Sequence, residues 1–147
     1  MPLLEVRRLS GQGHFASGRH RPKMAKIVLI ADDNPMIRKM LCRMFEGELD
    51  YDICAEATNG QEAIDLALKH RPDLVILDLS MPVLNGSDAA RELKKLMPHV
   101  PIILFTQYSN FGNNVFGTKP PFDRIVSKTD AKDLMGYVRS LIPITPL

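Results

Sequence analysis

From Ile27 to Ala31 every residue is apolar, a run that fits a strand covered on both faces. The period then turns helical. Asn34 and Pro35 supply a helix cap and a first-turn proline, and Met36, Ile37, Met40, Leu41, Met44 and Phe45 recur on one side, with Arg38, Lys39, Arg43 and Glu46 opposite. Asp52 to Ala57 fits a second short strand, and Gln61 to Lys69 a second helix with Ala63, Ile64, Ala67 and Leu68 on one side, ended by Arg71-Pro72. Leu74 to Leu79 is the most apolar run in the chain and reads as a central strand, with Asp78 set into its end. Asn85-Gly86 forms a turn, Ser87 is a candidate cap, and Ala89, Ala90, Leu93, Leu96 and Met97 mark a third helix that Pro98 stops. Val100 to Phe105 and Arg124 to Ser127 follow as strands. Asp130 is expected to cap a last helix whose inner face is Leu134, Met135, Val138, Leu141 and Ile142.

Strands alternating with helices predict an α/β fold: a doubly wound, five-stranded parallel sheet in the flavodoxin-like order 2-1-3-4-5, with right-handed crossovers. One helix of the alternation is irregular or missing. Between Gln107 and Phe122 stand Ser109-Asn110, Gly112-Asn113-Asn114, Gly117 and Pro120-Pro121, all poor helix formers.

Composition refines this reading. At 147 residues, 45% hydrophobic, the chain has the size of one domain with a core of its own. The charge of +2 is uneven: Arg7, Arg8, Arg19, Arg21 and Lys23 face Glu5 alone, which leaves residues 24–147 mildly acidic. That balance argues against a nucleic-acid-binding face on the folded part. Residues 1–23 have no apolar period and are expected to be a disordered basic tail, with the domain occupying 24–147. The start lacks an apolar signal region and no apolar run reaches membrane-spanning length, so a cytoplasmic address is expected. Cys42 and Cys54 fall among apolar positions without metal or redox spacing, as buried reduced thiols do.

In the predicted order, strands one and three are neighbours, so Asp32, Asp33, Asp78, Thr106 and Lys128 converge at the carboxyl edge of the sheet. Three carboxylates together repel and raise one another's pKa unless a cation neutralises them. A hard divalent ion such as magnesium suits them, because it takes oxygen ligands and is commonly held by one or two carboxylates plus a phosphoryl oxygen. Lys128 adds positive charge and Thr106 a directional hydroxyl, completing a cradle for a transferring phosphoryl group, with a carboxylate as nucleophile. Plainer roles stay open: Asp32 or Asp33 as a helix cap, Lys128 as a solvated lysine, Thr106 as a strand-end hydroxyl. Asp78 is hardest to explain so, since a lone carboxylate ending an apolar strand is costly.

With Met81-Pro82 and Asn85-Gly86 after the central aspartate, this ordered set resembles the receiver domain of two-component response regulators, over about Met24 to Ile142. The resemblance implies phosphoryl transfer onto Asp78 from a histidine kinase or histidine phosphotransfer protein, with Thr106 as the switch hydroxyl. It also implies magnesium bound by Asp33, Asp78 and the Ser80 backbone carbonyl, with Asp32 acting through water. A downstream protein partner and a possible homodimer belong to the same expectation, while no enzymatic turnover beyond self-phosphorylation and slow self-dephosphorylation is expected. Only Pro143 to Leu147 follow the last helix, so a stand-alone receiver is expected. Three departures stand out: the irregular 107–122 stretch, Ile125 where the family places an aromatic three residues before the lysine, and Gln107 where a small residue is usual. Thr129 replaces the proline many relatives carry after the lysine. Gln107, Ile125 and the irregular helix support an alternative, a degenerate receiver that binds a protein partner without phosphorylation. A P-loop reading of Gly112 to Lys119 fails on residue order and on Pro120-Pro121.

Overall fold

The computed structural model describes residues 25–107 and 118–144. The proposed tail and most of the 107–122 stretch lie outside them. Five strands form one parallel sheet in the order β2-β1-β3-β4-β5: β1 (Lys26–Ala31), β2 (Tyr51–Ala57), β3 (Leu74–Leu77), β4 (Ile102–Thr106) and β5 (Arg124–Ser127). Four α-helices are described, α1 (Pro35–Glu46), α2 (Gly60–His70), α3 (Gly86–Leu96) and α4 (Leu134–Leu141), the last preceded by a 3-10 turn at Lys128–Asp133. The expected order and winding are therefore observed.

Alternate strand residues point to opposite faces, and both faces are covered. Val28, Ile30, Leu74, Ile76, Ile103 and Phe105 pack toward α1 and α4. Leu29, Ala31, Val75, Leu77, Ile102 and Leu104 pack toward α2 and α3. This is why the strands read as unbroken apolar runs: each residue has a core to enter. Across the bulge between Val28 and Leu29 in the pairing with β2, the alternation is broken once: Ile53 enters the first core, while the consecutive Cys54 and Ala55 both pack on the second. Both cysteines are buried thiols outside any disulfide, and burial together with the Glu56 carboxylate pushes the Cys42 thiol far up, which keeps it protonated.

Three turns at the carboxyl edge share one device. Asn34, Asn59 and Asn85 each accept a backbone N–H of the helix that follows, at 2.8–2.9 Å. Asn85, not Ser87, is thus the cap of α3, because the helix begins two residues earlier than a cap at Ser87 would place it. Asp130 does not cap the last helix: it lies with non-helical angles inside the 3-10 turn, whose cap is Ser127, accepting from the Thr129 N–H. Met36, expected on the inner stripe of α1, is 69% exposed, while Cys42 takes an inward position. Within the same first turn Ile37 still packs against the core, so the side chain left outside it is that of Met36.

At the opposite edge, two aspartates pin the strands. Asp73 Oδ2 accepts the Ile27 N–H at 2.8 Å, and Asp123 Oδ2 accepts the Ile102 N–H at 2.8 Å and the Lys94 ammonium at 2.9 Å. These acids are consumed by backbone and lysine, unlike those at the carboxyl edge.

Gly136 is exposed on α4, and a Cβ there would meet nothing within 4 Å. Gly136→Ala is expected to raise stability by about 0.5–1 kcal/mol through the lower backbone entropy of the unfolded chain. A urea midpoint equal to or below that of the native chain would contradict it.

Candidate acidic site

The end of β1 delivers Asp32 and Asp33, and Asp78 follows directly on β3. The pairing of Ala31 with Leu77 sets the two strand ends side by side, and the Asp78 N–H donates to the Ala31 carbonyl at 2.8 Å. Ligand oxygens of Asp32, Asp33 and Asp78 lie within 4.8 Å of one another. Asp32 and Asp78 are buried at 2% and 5% exposure, whereas Asp33 faces solvent. Lys128, lifted off the end of β5 by the 3-10 turn, bridges the buried pair: Nζ is 2.8 Å from Asp32 Oδ2 and 3.3 Å from Asp78 Oδ1. Thr106 ends β4, fully buried, opposite Ser127 in register. All five side chains singled out in the sequence thus stand at one edge of the sheet.

Burial, then the negative charge of Asp32, raises the Asp78 carboxyl above the ordinary 3.8, against the opposing pull of Lys128 and a hydrogen bond from the Ser80 backbone N–H. One ammonium therefore leaves the cluster short of positive charge. Three close carboxylates with an exposed side at Asp33 make an all-oxygen donor set, which suits a hard cation such as magnesium.

The loop after Asp78 is tightly determined. Gly86 N–H donates to the Leu79 carbonyl at 2.8 Å, Gly60 N–H to that of Leu84 at 2.9 Å, and Leu84 N–H to that of Pro82 at 2.7 Å. The last bond closes a γ-turn on Val83, held at φ 69° although it is β-branched. Such strain, about 1–3 kcal/mol, persists only where its surroundings over-determine it. Leu79, Ser80, Met81, Asn85 and Ser87 line an open cleft of about 390 Å³ beside this loop.

Two contributors were missed in the sequence. Gly86 was read only as a turn residue, yet its α-carbon sits against the Asp78 backbone. Arg38, assigned to the solvated face of α1, donates from Nη1 to the Asp32 carbonyl at 2.8 Å. Its position six residues after Asp32, at the start of a helix leaving the same strand, was the available signal.

The response regulator receiver domain matches residues 28–139, and the chain belongs to that family. The transcriptional regulatory protein PdtaR of Mycobacterium tuberculosis is 48% identical over 82 residues, which are 54% of this chain and 40% of PdtaR. The chemotaxis protein CheY of Thermotoga maritima is 41% identical over 81 residues, 55% of this chain and 67% of CheY. Against a protein-glutamate methylesterase/protein-glutamine glutaminase of Hahella chejuensis the match takes up 22% of that relative, so the chain spans less than half of several proteins it resembles. Among solved structures, the response regulator TrrA of Thermotoga maritima, in complex with Mg2+ and BeF, superimposes with a TM-score of 0.71 at 34% identity, over 80% of this chain and 99% of TrrA. The response regulator domain of Thermotoga maritima CheB, 22% identical, shares the fold with a TM-score of 0.73, over 83% of this chain and 99% of that domain.

Proposed function

We propose that the chain is a phosphorelay receiver whose Asp78 takes a phosphoryl group from the phosphohistidine of a kinase or phosphotransfer protein and, so modified, controls a protein partner. The observation that carries this reading is the buried Asp32–Lys128–Asp78 bridge beside exposed Asp33. In the step envisaged, an Asp78 oxygen forms a bond to phosphorus as the phosphorus–nitrogen bond of the donor breaks and the imidazole leaves. Lys128 offsets charge on the phosphoryl oxygens, and the Thr106 hydroxyl serves as a hydrogen-bond donor to one of them. Magnesium, held by Asp33, Asp78 and the Ser80 carbonyl with Asp32 acting through water, would supply the missing positive charge. Asp78 is consumed and regenerated as an acceptor, so the domain switches instead of turning over a substrate. None of the helices among the described residues is long and apolar enough to cross a membrane, in keeping with a donor met in the cytoplasm.

Magnesium-dependent binding of beryllofluoride, followed by amide NMR with Asp78→Ala as control, tests the proposal. Binding that needs both magnesium and Asp78, with shifts at Thr106 and Gln107, is the expected result. No binding would leave the second reading, a receiver that engages its partner without phosphorylation. Two observations favour that reading: Gln107 is exposed directly after buried Thr106, and Ile125 is committed to packing on the α2–α3 side of the sheet. Partner affinity indifferent to Asp78→Ala would support it.

A further inference from the structure

We propose that Arg38 is a positioning residue for the acidic pair, holding the peptide plane between Asp32 and Asp33 so that both carboxylates face Asp78. The inference rests on the reading that this cluster takes magnesium. Every polar atom of Asp32 has a partner: its N–H donates to the Ala57 carbonyl at 3.0 Å, Oδ1 accepts from the Asn34 N–H at 2.8 Å, Oδ2 meets Lys128 at 2.8 Å, and its carbonyl accepts from Arg38 Nη1 at 2.8 Å. The carbonyl bond restrains the rotation that aims Asp33, whose side chain is exposed. Arg38 is itself fixed. Its side chain is 18% exposed, and Nε donates to Glu56 Oε1 at 3.2 Å, near the end of β2. Glu56 takes a further hydrogen bond from the Cys42 thiol. The guanidinium therefore ties β1, α1 and β2 together at the mouth of the site, and Glu56 offsets a charge that would otherwise repel a cation there. A lysine cannot replace this, since its ammonium lacks the planar fork that serves two acceptors in fixed directions.

Magnesium titration of the full chain by amide NMR, with Arg38→Met, Arg38→Lys and Glu56→Gln, tests the role. Removing a group that orients metal ligands typically weakens metal binding about tenfold to a hundredfold, and that loss is expected for Arg38→Met, with Arg38→Lys failing to restore affinity. Glu56→Gln keeps the Arg38 bond but exposes its charge, so its smaller loss is expected to shrink as salt is added. Without magnesium, the Asn34 amide resonance is expected to move in Arg38→Met while resonances of α4 stay in place, a signature that general destabilisation does not produce. Arg38→Met affinity within twofold of the native chain, or an unmoved Asn34 amide, would overturn the role of Arg38 alone. A native chain that binds no magnesium would overturn the site reading and this inference with it.

Discussion

Asp78→Asn is expected to abolish beryllofluoride uptake while making the magnesium-free chain more stable, by on the order of 1 kcal/mol. Function is lost because an amide offers neither a nucleophilic oxygen nor a ligand charge. Stability rises because the native carboxylate is buried and faces the charge of Asp32, the two causes that raise its pKa. The sign follows from proton linkage. A carboxyl whose folded pKa lies above its unfolded value holds more protons in the folded state between those two values. Its contribution to stability therefore falls as pH rises from near the ordinary 3.8 through the raised folded value, and its penalty is complete above that. Urea midpoints of the native chain and the Asn variant, compared across about pH 4 to 7 without magnesium, check this. The advantage of the variant is expected to grow with pH and to diminish when magnesium neutralises the native cluster. A variant less stable at every pH would sink the repulsion argument, whatever happens to binding.

Gly86→Ala is expected to be the most damaging methyl addition at the carboxyl edge. An added Cβ would lie 2.0 Å from the Asp78 carbonyl oxygen and 2.9 Å from both the Asp78 carbonyl carbon and the Leu79 α-carbon. These are backbone atoms at the end of a buried strand, so relief requires moving the segment that carries Asp78 or breaking the Gly86–Leu79 hydrogen bond. A loss of about 3 kcal/mol or more is expected, in the range of severe backbone and packing defects, together with weakened magnesium binding. Thermal unfolding and the magnesium titration read both effects. Gly60, whose added Cβ would lie 2.2 Å from the Leu84 carbonyl oxygen, is expected to behave similarly in stability. A melting temperature for Gly86→Ala like that of the native chain would show that the Asp78–Leu79 segment yields easily, contrary to a preorganised site.

Hydrophobic pattern determined the topology of this protein because doubly covered strands must be apolar along their whole length, and runs such as Leu74 to Leu77 have no other use in a chain of this size. The polar exceptions, Asp32, Asp33, Asp78, Thr106 and Lys128, were legible for the same reason: each interrupts or ends an apolar run, where burial without a purpose is costly. Helix ends were less legible. Asn85 and Ser87 are both good caps in isolation, and only the approach of Gly86 to Asp78 decides that the helix starts at Gly86. Met36 read as core because helical spacing carries no information on which residues of the stripe the core reaches. Arg38 illustrates the remaining limit. A long cationic side chain on a polar helix face is ordinarily solvated, and its choice of the Asp32 carbonyl and Glu56 depends on three elements meeting in space. The residue types and their order thus determined what chemistry the edge of the sheet holds, while the aim of its carboxylates was decided by backbone contacts between segments distant in the chain, which exist only after folding.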